Sequence, residues 1–485
     1  MAVIRKFWVS AAAVGVLFPV AAQADIVISA SSTQNVSCQG NVCVPLAPDA
    51  VLNVVDLENL LAGGGVEVTT TGSGVQAVNI RLETPLSWSS SGGLTLDAYQ
   101  SIRVEKPMTI MGAGALSIEP NDGGSNGALW FSPKGNISFA QTSNSLSIAG
   151  IAYTLISTLP ELAASVAANP AGDYALAADY DAKRDGTYHA SPITSAFAGG
   201  FNGLGNAITG MRIKSRGRAQ EQSLGLFEET TSIATISSVK LTNISIGSEK
   251  PLQDGPFVGG LVAASYGTIF NSSVQGNIQL QFQKGGGVGG IAGVNVGSMY
   301  GANSNVQVGA SSDKLVGLEA GGLAGQNDGK IAESFSTGSA STITSEGSMV
   351  GALVGWNVGD LENCYATGAS ADSGDGYVGG LIGVNIQTVS YSYSTGMPVA
   401  GANGYIGGLI GYDVSDQGSL HDTYWDMTTS GASQGAGNVV NDQGIKGETT
   451  SQLQKKLPKG FDPGVWALSK KINNGLPYLI NNPPQ

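Results

Sequence analysis

Charged side chains are scarce in this sequence. Only 12% of its 485 residues are Asp, Glu, Lys or Arg, about half the share in a typical soluble domain. Glycine is abundant instead, with 71 residues, roughly twice its usual frequency. The apolar fraction of 42% is ordinary, so the chain can build a core and disorder is not expected. Few charges and many glycines favour a turn-rich, all-β protein over a helical bundle.

Basic residues are the scarcer of the two charge types. The chain has 23 Lys and Arg against 36 Asp and Glu, and they form no basic stripe. Without Arg5 and Lys6, 21 basic residues remain against 36 acidic ones, which gives a formal charge of −15. Nucleic acid and anionic membrane surfaces are therefore not expected as partners, because both attract positive charge.

A long apolar run occurs only at the start of the chain. Arg5 and Lys6 precede this run, and an Ala-x-Ala motif ends at Ala24, as in a signal-peptidase site. Residues 1–24 are therefore predicted to be a Sec-type signal peptide, cleaved after Ala24, and the mature protein to be secreted or placed on the cell surface. No later stretch reaches the length of a membrane span, so the mature chain is not expected to cross a membrane.

Cysteine is also rare, with three residues. Cys38 and Cys43 lie in the segment SCQGNVC, close enough to form a disulfide in an oxidising compartment. A zinc site is disfavoured because no second pair of ligands follows. Cys364 is left over, and it aligns with small residues of the repeats described below. We interpret it as a tolerated small side chain rather than a nucleophile.

Histidine is nearly absent, with His189 and His421 as the only two. A His-Glu-x-x-His helix cannot be formed, which excludes zinc proteolysis of that type. The chain has no Gly-x-Ser-x-Gly elbow between a strand and a helix. The Lys-Ser/Thr pair of a P-loop follows none of its Gly-Gly pairs. The sequence therefore predicts no catalytic residue, no metal site and no cofactor.

One acidic cluster leaves an enzymatic alternative open. Four aspartates fall close together near the end of the repeats: Asp413, Asp416, Asp422 and Asp426. Enzymes that act on polysaccharides use clustered carboxylates in a groove, so Asp422, Asp426 and the neighbouring His421 are weak catalytic candidates. The competing interpretation is a set of solvated turns, where aspartate is common.

Short alternating strands fill the first half of the chain. Apolar pairs recur at an offset of 22 residues: Ile80/Leu82, Leu86/Trp88 and Leu94/Leu96 are followed by Ile102/Val104, Met108/Ile110 and Leu116/Ile118. Three strands per coil of about 22 residues is the pattern of a parallel β-helix, which we assign to residues 65–157. Residues 25–64 are predicted to be an N-terminal cap with the disulfide loop and a helix over the apolar positions from Val51 to Leu61. Residues 158–256 are predicted to hold a helix near Leu159–Ala168 and irregular coils.

Six copies of one motif fill residues 257–430 at offsets of 28 to 32 residues, and residues 431–485 are predicted to be a C-terminal cap. The copies begin at Val258, Val288, Ala320, Val350, Val378 and Ile406. A turn residue follows in most copies and is predicted to form a side-chain ladder between coils: Asn295, Asn327, Asn357, Asn385 and Asp413. Farther along, Phe335, Tyr365 and Tyr393 are predicted to stack as an aromatic column. One coil cannot bury enough apolar surface to offset the cost of ordering it, so the copies must stack.

These copies resemble the GLUG motif, VGGLVGxNxGxIxNSYATG, which is found in large bacterial surface and secreted proteins. The stretches PLSWSSSGGLTLDAYQSI and YALAADYDA are similar to the β-helical passenger of filamentous-haemagglutinin-type adhesins. The resemblance implies a right-handed parallel β-helix with short capping helices, located outside the cell. The Asn-Pro-Asn motifs of the two-partner secretion domain do not occur in this sequence, so the route of export stays open.

We therefore expect a secreted or surface-exposed, adhesin-like binding or structural protein without catalysis. Its expected partner is a glycan or protein of a host cell or matrix. The alternative is a polysaccharide-active β-helix enzyme that uses the aspartates of residues 413–426. The fourth copy also raises a question about binding, because Trp356 stands beside its turn where other copies have Val, Gln or Tyr.

Overall fold

Strands of successive coils pair in parallel along the length of the chain. The computed structural model describes residues 25–217, 223–253, 255–314, 317–344 and 347–484, and the predicted signal peptide, residues 1–24, lies outside them. The chain forms an all-β parallel solenoid of about 12 turns with few helices. In the part of the chain that the structure describes, no helix is long and apolar enough to cross a membrane.

One sheet runs through the whole solenoid, and we call it the continuous sheet. Its neighbours pair in parallel except at two hairpins, where they pair antiparallel. In spatial order its sixteen strands are Val36–Gln39, Val42–Pro45, Val66–Thr69, Leu94–Ala98, Leu116–Pro120, Leu146–Ile148, Ile151–Ile156, Tyr174–Leu176, Gly200–Asn202, Thr235–Ser237, Thr268–Phe270, Ser298–Tyr300, Lys330–Ala332, Asp360–Glu362, Val389–Ser390 and Leu420–His421.

Two smaller sheets complete the first coils. One contains Ala50–Asn53, Asp25–Ser29, Asn79–Leu82, Ile102–Val104 and Leu129–Phe131, and the other Leu86–Trp88, Met108–Ile110 and Ile137–Phe139. The predicted offset of 22 residues is present in the register: Ile80 pairs with Ile102, Leu86 with Met108, and Leu94 with Leu116. The predicted N-terminal cap, residues 25–64, already supplies two strands to the first of these sheets and two to the continuous sheet. Thr71–Gly72 and Val75–Gln76 form a separate hairpin.

The repeats add three more sheets. The Gly-Gly sheet contains Phe257–Gly259, Gly287–Gly289, Glu319–Gly321, Met349–Gly351, Tyr377–Gly379 and Tyr405–Gly407. The Asn sheet contains Phe227–Thr230, Val262–Ser265, Ala292–Asn295, Ala324–Asn327, Val354–Asn357, Ile382–Asn385 and Ile410–Asp413. The aromatic sheet contains Tyr180–Asp181, Ala207–Thr209, Arg212–Ser215, Lys240–Ser248, Ser273–Gln281, Asn303–Ser311, Phe335–Ser336, Ala340–Ile343, Tyr365–Ala366, Ser370–Asp372, Tyr393–Ser394, Pro398–Val399, Thr423–Asp426 and Ile445–Glu448.

Each repeat therefore contributes strands to four sheets, whereas the sequence pattern predicted three strands per coil. The difference arises because the first face of each repeat is divided between the Gly-Gly strand and the Asn strand, which only two residues separate. Glycine allows these strands to lie close together, since a Cβ atom on Gly355 would lie 2.7 Å from the backbone nitrogen of Ala320. A Cβ atom on Gly351 would overlap the carbonyl oxygen of Val354.

Four short α-helices interrupt the described strands: Val54–Gly63, Leu159–Ala168, Met427–Ser430 and Thr450–Lys455, with 3₁₀ turns at Ala182–Asp185 and Asn473–Gly475. The first helix begins later than the apolar spacing predicts because Asn53 caps it. The Asn53 side chain accepts from the N–H of Val55 at 2.8 Å, and the residues before it form a strand. The second helix lies where predicted, with Thr158 accepting from the N–H of Glu161 at 3.1 Å.

The hydrophobic core changes sides of the continuous sheet midway along the solenoid. The chain turns back at Ala149 and Gly150, both with positive φ, and the strands before and after them pair antiparallel. In the strand that follows, Leu155 packs into the first core and Ile156 into the second. Strand direction and core face reverse together while the sheet keeps growing in one direction. The coils of the two halves therefore wind with the same hand.

The C-terminal segment lies along the side of the solenoid. Ile445–Glu448 adds the last strand of the aromatic sheet. Residues 456–484, which we call the strap, run back over the outer face of that sheet and contain a small hairpin of Trp466–Ala467 and Tyr478–Leu479. The far end reaches the first half, where Arg103 donates to Oδ1 of Asn481 at 3.0 Å. The predicted C-terminal cap thus covers a side of the solenoid as well as its end.

Candidate functional site

The repeated asparagines form a buried ladder. The Nδ2 atom of each asparagine donates a hydrogen bond of 2.8 Å to Oδ1 of the equivalent residue in the next coil. The ladder runs in this way from Asn295 through Asn327, Asn357 and Asn385 to Asp413. The four asparagine side chains have no exposed surface. Nδ2 of Asn357 also donates to the carbonyl of Gly359 at 2.8 Å, which closes the turn. The ladder joins coils and turns, and it offers no surface to a ligand.

The two ends of the ladder differ chemically. A carboxylate suits the last position of the ladder, because Asp413 accepts a hydrogen bond from Asn385 and does not need to donate one to a following coil. Asn438 donates to the carbonyl of Asp413 at 2.7 Å and accepts from its N–H at 2.8 Å. Burial and the charge of Asp413 raise the pKa of the adjacent Asp442 to about 6. At the other end, Oδ1 of Asn295 is buried without a hydrogen-bond partner among the described residues.

The predicted aromatic column lies on the outside of the solenoid. The rings of Phe335 and Tyr365 are 4.7 Å apart and those of Tyr365 and Tyr393 are 5.2 Å apart, each pair within 7° of parallel. Tyr424 pairs with Tyr393 in register and extends the column. The residues on either side of Tyr365 pack into the core, so the alternation along the strand directs the rings outward.

The strap covers this column. The Trp466 ring lies 6.0 Å from that of Tyr365 and 5.9 Å from that of Tyr393, and its Nε1 donates to Oδ1 of Asn363 at 2.9 Å. The hydroxyl of Tyr393 donates to the carbonyl of Pro477 at 2.6 Å. The column is therefore a second, smaller core between solenoid and strap, and it is closed to solvent in this structure.

The cysteines take structural places. Cys38 and Cys43 form a disulfide across a hairpin. Cys364 is fully buried, its Sγ lies 3.2 Å from the carbonyl of Glu362, and burial raises the pKa of its thiol to about 12. One coil on, the hydroxyl of Ser392 donates at 2.7 Å to the carbonyl two residues before it. The thiol thus replaces a serine hydroxyl, and it is not a thiolate at neutral pH.

The acidic catalytic candidates have separate roles in the structure. Asp426 is fully buried and caps the helix Met427–Ser430, where Oδ1 accepts from a backbone N–H at 2.8 Å. Asp422 lies 3.5 Å from Nζ of Lys446, and His421 is exposed on the continuous sheet. Within the described ranges, no group of three His, Cys, Asp or Glu is arranged to hold a metal ion.

A second outward surface lies where the Gly-Gly sheet meets the Asn sheet, and we call it the outer ribbon. Its first row is formed in register by the first residues of the Gly-Gly strands: Phe257, Gly287, Glu319, Met349, Tyr377 and Tyr405. In five of these strands the next residue is fully buried in the core, so this row lies on the outer face. The second row comes from the Asn strands: Ala264, Val294, Gln326, Trp356, Val384 and Tyr412.

The two rows of the outer ribbon contact each other in the last copies, and most of their side chains are partly exposed. Tyr412 packs edge-on against Tyr377 and Tyr405 at ring distances of 5.0 and 5.1 Å, and Tyr405 is 41% exposed. Trp356 holds in its own copy the register position of Tyr412 and is also partly exposed. The tryptophan singled out in the sequence therefore belongs to an uncovered aromatic surface.

Glu319 is the one carboxylate in the outer ribbon. It lies in register between Gly287 and Met349, and its Oε2 is buried with no hydrogen-bond partner among the described residues. Burial, with a smaller effect of Asp328, raises the pKa of Glu319 to about 7. The amide of Gln326 donates to Asp328 at 2.7 Å and leaves Oε2 of Glu319 unpaired.

Sequence reasoning missed the first row of the ribbon, because it began each copy one residue too late. The residue before the apolar-Gly-Gly start is aromatic, acidic, methionine or glycine in different copies, so a comparison of the motifs shows no conserved residue type there. The signal was its position: alternation along a strand places that residue on the face opposite the core.

Comparison with known proteins gives a motif and a distant likeness among solved structures. The family model described as the GLUG motif matches residues 346–371, the fourth copy of the repeat, and no curated protein matches the chain. Among solved structures, a protein described as a putative immunoglobulin A1 protease from Bacteroides ovatus is 18% identical over 64% of this chain and 85% of that chain, with a TM-score of 0.35. The match to the GLUG motif agrees with the β-solenoid of the structure, and a TM-score this low supports no argument about activity.

Proposed function

We propose that this protein is an exported, adhesin-like β-solenoid that acts by binding, without catalysis, and that the outer ribbon is its binding surface. The proposal includes a signal peptide cleaved after Ala24, release to the cell surface or the medium, and right-handed coils. The GLUG motif at residues 346–371 supports it, because the resemblance stated above places such motifs in bacterial surface and secreted proteins.

The observation that carries the proposal is the uncovered aromatic ribbon. Trp356, Tyr377, Tyr405 and Tyr412 present rings with partly exposed faces along one side of the solenoid. Contiguous exposed apolar surface marks a place of interaction, and Tyr and Trp combine an apolar face with a polar edge. Successive coils repeat every ~4.8 Å, which suits an extended ligand with repeated units.

The partner that fits this surface is an uncharged oligosaccharide. Sugars offer apolar ring faces for stacking and hydroxyl groups for hydrogen bonds, and the ribbon offers both kinds of contact. Glu319 in the ribbon and Asp328 beside it are both acidic residues, and the mature chain carries a formal charge of −15, from 21 basic and 36 acidic residues. This charge disfavours sialylated or sulfated glycans.

The test is binding of the full mature chain to cellohexaose and chitohexaose, with a sialylated glycan as the anionic comparison. Trp356→Ala is expected to weaken binding about tenfold or more, because aromatic anchors dominate such surfaces. Tyr99→Ala is the matched control, since Tyr99 is an exposed aromatic residue (37%) outside the ribbon. Binding that Trp356→Ala leaves unchanged, or binding only to host proteins, would overturn the glycan proposal. A strictly periplasmic location would overturn the adhesin part.

A further inference from the structure

We propose that the carboxyl group of Glu319 is the polar, specificity-determining contact of the outer ribbon, where it donates a hydrogen bond to a hydroxyl or acetamido oxygen of an uncharged oligosaccharide stacked on Trp356. This inference rests on the proposed function of the ribbon and adds the group that gives it selectivity. It also predicts that ligand binding is coupled to the protonation of one side chain.

The position of Glu319 in the fold supports this role. Its N–H donates to the carbonyl of Gly286 at 3.0 Å, which fixes the start of its strand, while the adjacent Ala320 is fully buried in the core. The side chain therefore lies on the outer face of the sheet. In the last copies, Tyr412 contacts Tyr377 of the preceding coil. The same register places Trp356 beside Glu319.

The unpaired oxygen of Glu319 indicates a missing partner. Buried polar atoms nearly always make a hydrogen bond, and one left unpaired costs ~1–3 kcal/mol. Among the described residues, Oε2 of Glu319 makes none, and the amide of Gln326, in the second row of the ribbon, donates to Asp328 instead. Glu319 as a whole is only half-buried, so rotation of its carboxyl group would bring this oxygen within reach of a ligand oxygen placed over the ribbon.

The ionisation of Glu319 determines when it can donate. In the two neighbouring strands of the Gly-Gly sheet, the residues in register with Glu319 are Gly287 and Met349. The adjacent residues of the second row are Gln326 and Trp356. None of these four carries a charge. Burial raises the pKa of Glu319 to about 7, and the negative charge of Asp328, the titratable group that acts on it, adds a smaller effect in the same direction. No salt bridge to Glu319 is formed among the described residues, so no cation offsets this effect.

Ligand binding should favour the protonated carboxyl group. A sugar seated on the ribbon removes the remaining water from Glu319, and removing water disfavours the charged form. Binding is therefore coupled to proton uptake. Affinity is expected to be constant well below pH 7 and to fall as pH rises through about 7, by up to about tenfold per pH unit.

The experiment measures the affinity of the mature chain for chitohexaose and cellohexaose by calorimetry between pH 5 and pH 9. Wild type should show the decline above about pH 7. Glu319→Gln keeps a donor of the same shape and cannot ionise, so its affinity should match that of wild type at pH 5 and stay flat. Glu319→Ala should lose about five- to tenfold at pH 5, the range for one lost hydrogen bond. Tyr99→Ala should follow wild type.

The outcomes separate the two proposals. If no oligosaccharide binds wild type at any pH, both the glycan function and this inference fail. If Trp356→Ala abolishes binding while Glu319→Gln follows the pH profile of wild type, the function stands and the role of Glu319 is refuted. Wild-type affinity of Glu319→Ala at pH 5 also refutes it. Thermal unfolding of each variant ensures that a loss of binding does not come from a loss of folding.

Discussion

Replacing Trp466 by alanine should release the strap while the solenoid stays folded. Trp466 is 1% exposed and joins three contacts: the rings of Tyr365 and Tyr393 and the side chain of Asn363. Truncating a packed tryptophan costs ~3–5 kcal/mol. The two strands of the strap, Trp466–Ala467 and Tyr478–Leu479, pair with each other, and among the described residues neither pairs with a strand of the solenoid. The lost free energy should therefore weaken the docking of the strap on the solenoid, while the solenoid itself stays folded.

Limited trypsin digestion measures this opening, because Lys470 and Lys471 are exposed in the strap. A loss of ~3–5 kcal/mol raises the open population by roughly 10² to 4 × 10³-fold, and cleavage that follows the open population accelerates by the same factor. Leu479→Ala, on the other strand of the hairpin, should act in the same direction. Trp356→Ala is the matched control outside the strap. Unchanged cleavage in Trp466→Ala, or collapse of the whole solenoid with the strap, would refute the reasoning.

Three further predictions concern buried polar groups. Asn357→Ala should lower the free energy of unfolding in urea by ~2–4 kcal/mol, because it leaves a ladder donor and a ladder acceptor unpaired, whereas Gln326→Ala should change it by less than ~0.5 kcal/mol. Cys364 should react with a thiol reagent only after unfolding, and Cys364→Ser should change stability by less than ~1 kcal/mol, since serine fills that place in other copies. Asp442 has a raised pKa of about 6 in the folded state, so the folded state holds this proton more tightly than the unfolded chain does. The free energy of unfolding should therefore fall as pH rises from about 4 to 6. Asp442→Asn should remove this pH dependence, and a pH dependence that persists in the variant would contradict the assignment to Asp442.

The features predicted well from the sequence are those that depend on repetition. An equal offset of 22 residues places Ile80 on Ile102 and Leu94 on Leu116 in the structure, because parallel stacking turns sequence spacing directly into register. The asparagines align for the same reason. The four-sheet form of each repeat was missed because it depends on how closely two strands approach at Gly351 and Gly355, which a pattern of apolar residues does not describe.

The features that could not be predicted depend on contacts between distant parts of the chain. Arg103 and Asn481 are 378 residues apart in sequence, and Trp466 and Asn363 are 103 apart. No periodicity connects these pairs. The change of core face at Ala149 and Gly150 is a local hairpin, but its effect on the solenoid depends on where all later strands pair.

The two outward aromatic surfaces of this solenoid differ in their exposure to solvent, and this difference bears on function. The aromatic column is covered by about thirty residues of strap, which include Phe461, Trp466 and Leu479. Covering is the expected response to an exposed apolar stripe, since such a stripe promotes association. The outer ribbon has comparable rings at Trp356 and Tyr405, and no described segment of the chain covers them in the same way. This contrast supports the proposal that the outer ribbon is a binding surface, and the unpaired carboxyl oxygen of Glu319 within it supports a proposed partner that is polar as well as apolar.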